Sequence, residues 1–213
     1  MGRRAGPRRA SAHDGELGAA VARAQQGDET AFATAYRLVH PGLLGYLRGL
    51  VGDAAETVAA EAWQEIARDL GRFRGDGAGF RGWTAAIARR RALATPRHPE
   101  AGQREAASGP EPDGPESDGP ESDGPESDGP EPGEPESAER ALELIAGLPR
   151  DQAEAVLLRV VVGLDGPAAA RVLGERPGAV RSSAHQGLRR LAARLDARGN
   201  GEDRSGTRDK RRR

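Results

Sequence analysis

An all-α fold of two small helical domains, joined by a disordered acidic linker, follows from three observations on the sequence. β-branched residues never alternate over a strand's length. Apolar residues recur at helical spacing through residues 16–98 and again through 138–196. Between these blocks stands "GPEPDGPESDGPESDGPESDGPEPGEPE", residues 109–136, a nearly unvaried Gly-Pro-Glu-Ser/Pro-Asp unit. Frequent Pro and unscreened like charge extend a chain and leave it nothing to pack with.

The flanks complete the division. Residues 1–15 form an Arg/Gly/Pro tail expected to be disordered, and residues 99–137 are the low-complexity linker. Residues 197–213, ending in "RDKRRR", form a second disordered basic tail. The formal net charge of −1 conceals an asymmetry. Thirteen of the 33 acids lie between Glu105 and Glu139, where no base occurs; the other 20 acids face all 32 bases. Outside the linker the chain is therefore strongly basic, the electrostatic footprint of a nucleic-acid-binding protein.

The elements can be justified in order. "ELGAAVARAQQG" is a short helix ended by Gly27. Asp28 is placed to cap "ETAFATAYRLVH", whose first turn carries Glu29, with Phe32, Tyr36 and Val39 on one face. Pro41 is expected to break or kink the chain before "PGLLGYLRGLVG" restarts on Leu43, Leu44, Leu47, Leu50 and Val51. Asp53 opens the next helix, with Val58, Ala62, Ile66 and Phe73 as its stripe and Leu70 beside it. A Gly-rich loop, "RGDGAG", leads to "FRGWTAAIARRRALA", with Phe80, Trp83, Ile87 and Ala88 inward and its arginines outward. Pro96 stops it.

The second block begins with "AERALELIAGL", amphipathic through Leu142, Ile145 and Leu148, followed by "RDQAEAVLLRVVVG". Then come a short helix, "GPAAARVLG", the turn "GERP" and a longer basic helix. That order is the helix-turn-helix pattern. In the last helix Val180, Ala184, Leu188, Leu191 and Leu195 are expected to pack inward. Arg181, Ser182, His185, Gln186 and Arg189 are left on the opposite face, where Arg can read guanine, Gln can read adenine and Ser can hold phosphate.

Residues Arg72, Arg74, Arg81, Arg89, Arg90 and Arg91 gather around the "RGDGAG" loop, interleaved with Phe73, Phe80 and Trp83. Basic and aromatic residues together suit single-stranded nucleic acid; Phe80 and Trp83, which share a helical face with Ile87, read as core, and the arginines and the loop as the nucleic-acid surface. Enzyme classes find little support. No Cys is present, which excludes disulfides, thiolate zinc sites and cysteine nucleophiles. The four histidines (His13, His40, His98, His185) lack metal-ligand spacing, so no metal or cofactor is expected. No nucleophile elbow or phosphate-binding loop is found. Without a signal peptide or a long apolar run, a cytoplasmic protein with no membrane insertion is expected.

"YRLVHPGLLGYLRGLVGD" followed by "AAETVAAEAWQEIARDLGRFRGDGAGFRGWTAAIARRRALA" resembles region 2 of bacterial RNA polymerase sigma factors. The likeness is to the extracytoplasmic-function (ECF) group of the sigma-70 family. "LELIAGLPRDQAEAVLLRVVVGLDGPAAARVLGERPGAVRSSAHQGLRRLAARL" is similar to region 4 of that group. The resemblance implies a non-enzymatic factor that binds core RNA polymerase and promoter DNA and directs initiation. It implies docking on the β′ clamp helices through Glu56, Glu61 and Glu65. It implies reading of the −10 element by Arg74, Arg81, Arg89, Arg90 and Arg91. It implies reading of the −35 element by Arg181, Ser182, Ser183, His185, Gln186 and Arg189, with a contact to the β flap and an anti-sigma factor as further partner. The chain departs from the family pattern at Thr57 and Ala60, at the short "GPAAARVLG" helix, and at "TPRHP". Two rivals stand beside this reading: a helix-turn-helix regulator acting without polymerase, and a diverged sigma factor that binds only an anti-sigma partner.

Overall fold

The computed structural model describes residues 6–95 and 135–209, with side-chain surroundings for 13–95 and 137–196. The first bundle comprises α1 (Gly6–Ala24), α2 (Glu29–Val51), α3 (Ala55–Asp69) and α4 (Gly77–Ala94). Short 3-10 turns at Gly52–Ala54 and Leu70–Arg72 link them. The second comprises α5 (Pro135–Ala146), α6 (Arg150–Val156), α7 (Gly166–Leu173) and α8 (Pro177–Asp209). A π-helical turn, Leu157–Val161, continues α6. The described residues contain no strand, and none of the described helices is long and apolar enough to cross a membrane.

Helix starts follow capping chemistry. The Asp28 side chain accepts from the Ala31 N–H at 2.9 Å, Asp76 from Gly79 at 2.8 Å and Asp165 from Ala168 at 2.7 Å. Each satisfies a backbone donor the helix cannot satisfy itself. Helix bounds differ from expectation in several places. The first helix begins at Gly6, well before Glu16, and α5 begins at Pro135. Helix α8 continues to Asp209, past the point where a tail was expected. The acidic repeat up to residue 134 lies outside the described residues.

The expected break at Pro41 does not occur: α2 runs unbroken from Glu29 to Val51 with Pro41 inside it. Proline in a helix interior costs about 3 kcal/mol. Val39 before it and Leu43, Tyr46 and Leu47 after it are all buried in the same core. Each such side chain stabilises by roughly 1.5–3 kcal/mol, so packing on both sides of Pro41 overrides the local penalty. The expected stripes of α3 and α4 are buried at Val58, Ala62, Ile66, Leu70, Phe73, Phe80, Ile87 and Ala88, with Trp83 packed at the edge.

Half of the Gly-rich stretch, residues 77–79, is helix and not loop. Helix α4 starts at Gly77, and a Cβ there would lie 2.0 Å from the Asp14 carbonyl oxygen. Only glycine lets the start of α4 meet the backbone of α1 so closely. Arg81 on the next turn donates from Nε to Asp14 at 2.9 Å and fastens the junction. Gln25 donates from Nε2 to the carbonyls of Leu70 and Phe73, both at 2.9 Å, holding the turn before α4. The two bundles also pack on each other, α2 against the π-helical turn and α4 against α7.

Candidate nucleic-acid interface

The second bundle presents its basic helix by a short route. Asp165 caps α7, Gly174 turns the chain in the left-handed conformation (φ 74°, ψ 26°), and α8 starts at Pro177. A glycine takes that conformation without the steric cost other residues meet. Helix α8 buries Val180 and Ala184 and packs Leu191 partly against the core.

The inward stripe is not the expected one. Leu188 and Leu195 are 46% and 54% exposed, and Gly187 is buried in their place. A Cβ at Gly187 would come within 2.8 Å of Val156 Cγ2 and 3.3 Å of the Gln152 carbonyl oxygen. Helix α8 approaches α6 too closely there for a side chain. Leucine spacing pointed one residue away from the true line of contact.

The polar face keeps its expected members. Arg181, Ser182, His185, Gln186 and Arg189 are exposed. Ser183 is half-buried, its hydroxyl donating to Asp151 at 3.4 Å. Gln186 accepts from Gln152 Nε2 at 3.1 Å, which steadies an amide that points along the face. Leu144 and Gly147 carbonyls accept from Arg194 at 3.3 and 2.9 Å, tying α8 to the end of α5.

In the first bundle the expected contacts largely meet carboxylates of the same chain. Glu65, only 8% exposed, accepts from both Arg90 and Arg91, and Glu61 lies 4.0 Å from Arg91. Arg81 is held by Asp14. Arg74 donates to the Gly71 and Phe73 carbonyls at 2.7 Å. Glu56 is exposed and paired with Arg48 at 3.0 Å. Arg89 donates from Nε at 2.7 Å to Glu154, a residue of the second bundle. Burial pushes the Arg89 guanidinium down, but the Glu154 hydrogen bond and charge outweigh it and hold the group above its ordinary value. Sequence reading passed over Asp14, Gln25, Gln152 and Glu154. A lone acid inside the apolar run "AEAVLL" was the available signal for Glu154, because an unpaired carboxylate is not buried.

An exposed basic helix, presented by a glycine turn on a short capped helix, defines a helix-turn-helix protein with an all-helical partner bundle. Residues 138–191 match the family model described as sigma-70, region 4. The chain is 35% identical over 189 residues to the ECF RNA polymerase sigma factor ShbA of Streptomyces griseus subsp. griseus, covering 83% of this chain and 94% of that protein. It is 32% identical over 189 residues to the ECF RNA polymerase sigma factor SigD of Mycobacterium tuberculosis, covering 86% and 85%. The chain belongs to the ECF RNA polymerase sigma factors.

Solved structures share the fold. CnrH in complex with the cytosolic domain of CnrY matches with a TM-score of 0.56 at 20% identity, over 87% of this chain and 98% of that one. The sigma factor RpoE in complex with the anti-sigma factor NepR, from Bartonella quintana, matches with a TM-score of 0.53 at 20% identity, over 78% and 96%.

Proposed function

We propose that this sigma factor selects promoters through two separate surfaces and contributes no catalysis of its own. The first half of α8 reads the −35 element in the major groove through Arg181, Ser182, His185, Gln186 and Arg189, with Ser183 at the margin. The turn before α4 and α4 itself engage the −10 element through Arg74, Arg81, Arg89, Arg90 and Arg91. Glu56 and Glu61 offer exposed carboxylates to the β′ clamp helices, with Glu65 behind them holding Arg90 and Arg91. The β flap meets the second bundle, and an anti-sigma factor competes for these faces. The work is done where core polymerase is, in the cytoplasm. What carries this reading is the exposed polar face at the start of α8, because direct base readout needs side chains that stand clear of the core and can reach base edges.

The test is run-off transcription with purified core polymerase. Arg181→Ala together with Gln186→Ala should abolish discrimination among −35 sequences, since each good bidentate contact is worth about 1–3 kcal/mol. Core binding, measured by co-sedimentation, should stay as in the parent. Unchanged start sites and −35 preference in the double variant would remove α8 as the reader.

A further inference from the structure

We propose that Gln152, a buried residue of α6, decides which atom of Gln186 meets a base, and so sets Gln186 to prefer guanine over adenine. This rests on the reading of α8 given above. Gln152 is then a positioning residue, one that touches no DNA and acts through its neighbour.

The pairing begins with a close approach of two helices. A Cβ at Gly187 would stand 3.3 Å from the Gln152 carbonyl oxygen and 3.3 Å from Leu148 Cδ1, so α8 lies directly against the start of α6. Gln186, the residue before, is thereby set beside the Gln152 side chain. Gln152 is 5% exposed, and its Nε2 donates to Gln186 Oε1 at 3.1 Å. One turn earlier Ser183 donates to Asp151 at 3.4 Å. Two neighbouring residues of α6 thus each engage a side chain of the α8 polar face.

The direction of the Gln152–Gln186 hydrogen bond carries the consequence. A glutamine amide has an oxygen that accepts and a nitrogen that carries two donors. The Gln152 oxygen is buried with no hydrogen-bond partner among the described residues. Turning that amide over would bury the nitrogen in its place, and unpaired buried N–H groups are rarer than under-satisfied carbonyls. Burial therefore makes Gln152 the donor and Gln186 the acceptor. With its oxygen turned to α6, Gln186 shows the groove its nitrogen.

Base edges sort themselves against such a group. Adenine offers an acceptor, N7, beside a donor, N6, and glutamine reads the pair only with its oxygen and nitrogen together. Gln186 held by Gln152 has committed that oxygen. Guanine offers N7 and O6, both acceptors, and suits a side chain that only donates.

Gln152→Met keeps the side-chain volume and removes both the donor and the unpaired oxygen, so the variant should melt with the parent. Each −35 position is exchanged for all four bases, and promoter-dependent transcription is measured with core polymerase. Gln186→Ala marks the position that Gln186 reads, where base preference disappears. There the parent should favour guanine over adenine. Gln152→Met frees the Gln186 oxygen and should move that ratio towards adenine at least ~5-fold, the lower end of what a bidentate contact is worth. A structural role alone would weaken every promoter alike and leave the ratio untouched. A parent preference for adenine at that position, or an unchanged ratio in Gln152→Met, overturns the role of Gln152 while α8 remains the reader. If Gln186→Ala alters no position, the reading of α8 and the role of Gln152 fall together. A second measurement needs no variant. In the parent, the Gln152 side-chain NH2 should exchange with solvent at least ~10-fold more slowly than that of Gln186 by NMR, as a buried, bonded group does; equal rates overturn the pairing.

Discussion

Tyr46 shows what a single side chain can cost and still be kept. Burial, reinforced by the nearby Glu154 carboxylate, pushes its phenol well above the ordinary tyrosine value, with Arg89 and Arg150 opposing. The folded protein therefore binds that proton more tightly than the unfolded chain does. Below pH ~10 both states hold it and Tyr46 adds no pH dependence; above ~10 the unfolded chain ionises first and stability falls with pH. The Tyr46 hydroxyl is buried with no partner in ordinary hydrogen-bond geometry, and Tyr46→Phe removes it without changing the ring. It should stabilise the protein by about 1 kcal/mol in urea unfolding at pH 7 and flatten the loss between pH 9 and about 11. A destabilised variant with an unaltered alkaline slope would mean that the hydroxyl is bonded after all. Neither the burial of Tyr46 nor the partner of Glu154 was legible in the sequence. Tyr46 sits between the leucines of a helix that reads as amphipathic without it. Glu154 finds its partner 65 residues away, and no local pattern announces such a pair.

At the level of elements, the helices were legible wherever large apolar residues define a face, and illegible wherever glycine does. The stripe of α3 emerged directly from Val58, Ala62 and Ile66. That of α8 did not, because Gly187 rather than Leu188 meets α6, and a missing side chain leaves no mark in a hydrophobic pattern. The loop "RGDGAG" failed for the same reason: Gly77 marks the place where two backbones touch, although a glycine cluster ordinarily reads as a loop. Gly77→Ala should therefore cost about 2 kcal/mol, typical of a forced overpacking, despite alanine's better helix propensity. Gly71→Ala, where an added Cβ meets nothing within 4 Å, should stay within about 0.5 kcal/mol of the parent. Thermal unfolding of the two variants makes the comparison. Equal melting temperatures would show that α1 yields to the methyl group, and that the junction with α4 is looser than the Asp14 contact implies.

Taken whole, the molecule is two nearly neutral helical bundles, terminal stretches rich in bases and a strip of opposite charge between the bundles, and that division was the most legible feature of all. What the sequence could not disclose is that the bundles meet, because α2 faces the π-helical turn Leu157–Val161 through Gly42, Gly45 and Gly49, residues that leave no mark in a hydrophobic pattern. The acidic run between them has an electrostatic consequence whatever its path. Residues 109–136 carry 11 carboxylates; exchanging them for Gln and Ser at constant length takes the formal charge from −1 to +10. Charges tethered to a basic surface compete with DNA phosphates for it, and the competition weakens as salt shortens the Debye length. The neutralised full-length protein, without polymerase, should bind random duplex DNA at least ~10-fold more tightly at 50 mM salt, and the advantage should shrink steeply by about 0.5 M. Start sites with core polymerase should not move if base readout lies in α8 and α4, as proposed. Fluorescence anisotropy across a salt series measures the first effect and run-off transcription the second. If random-DNA affinity is indifferent to the exchange at every salt concentration, the acidic run is a spacer alone. If affinity rises and promoter escape slows with it, the run also acts within the polymerase, shielding basic side chains from DNA they must eventually release.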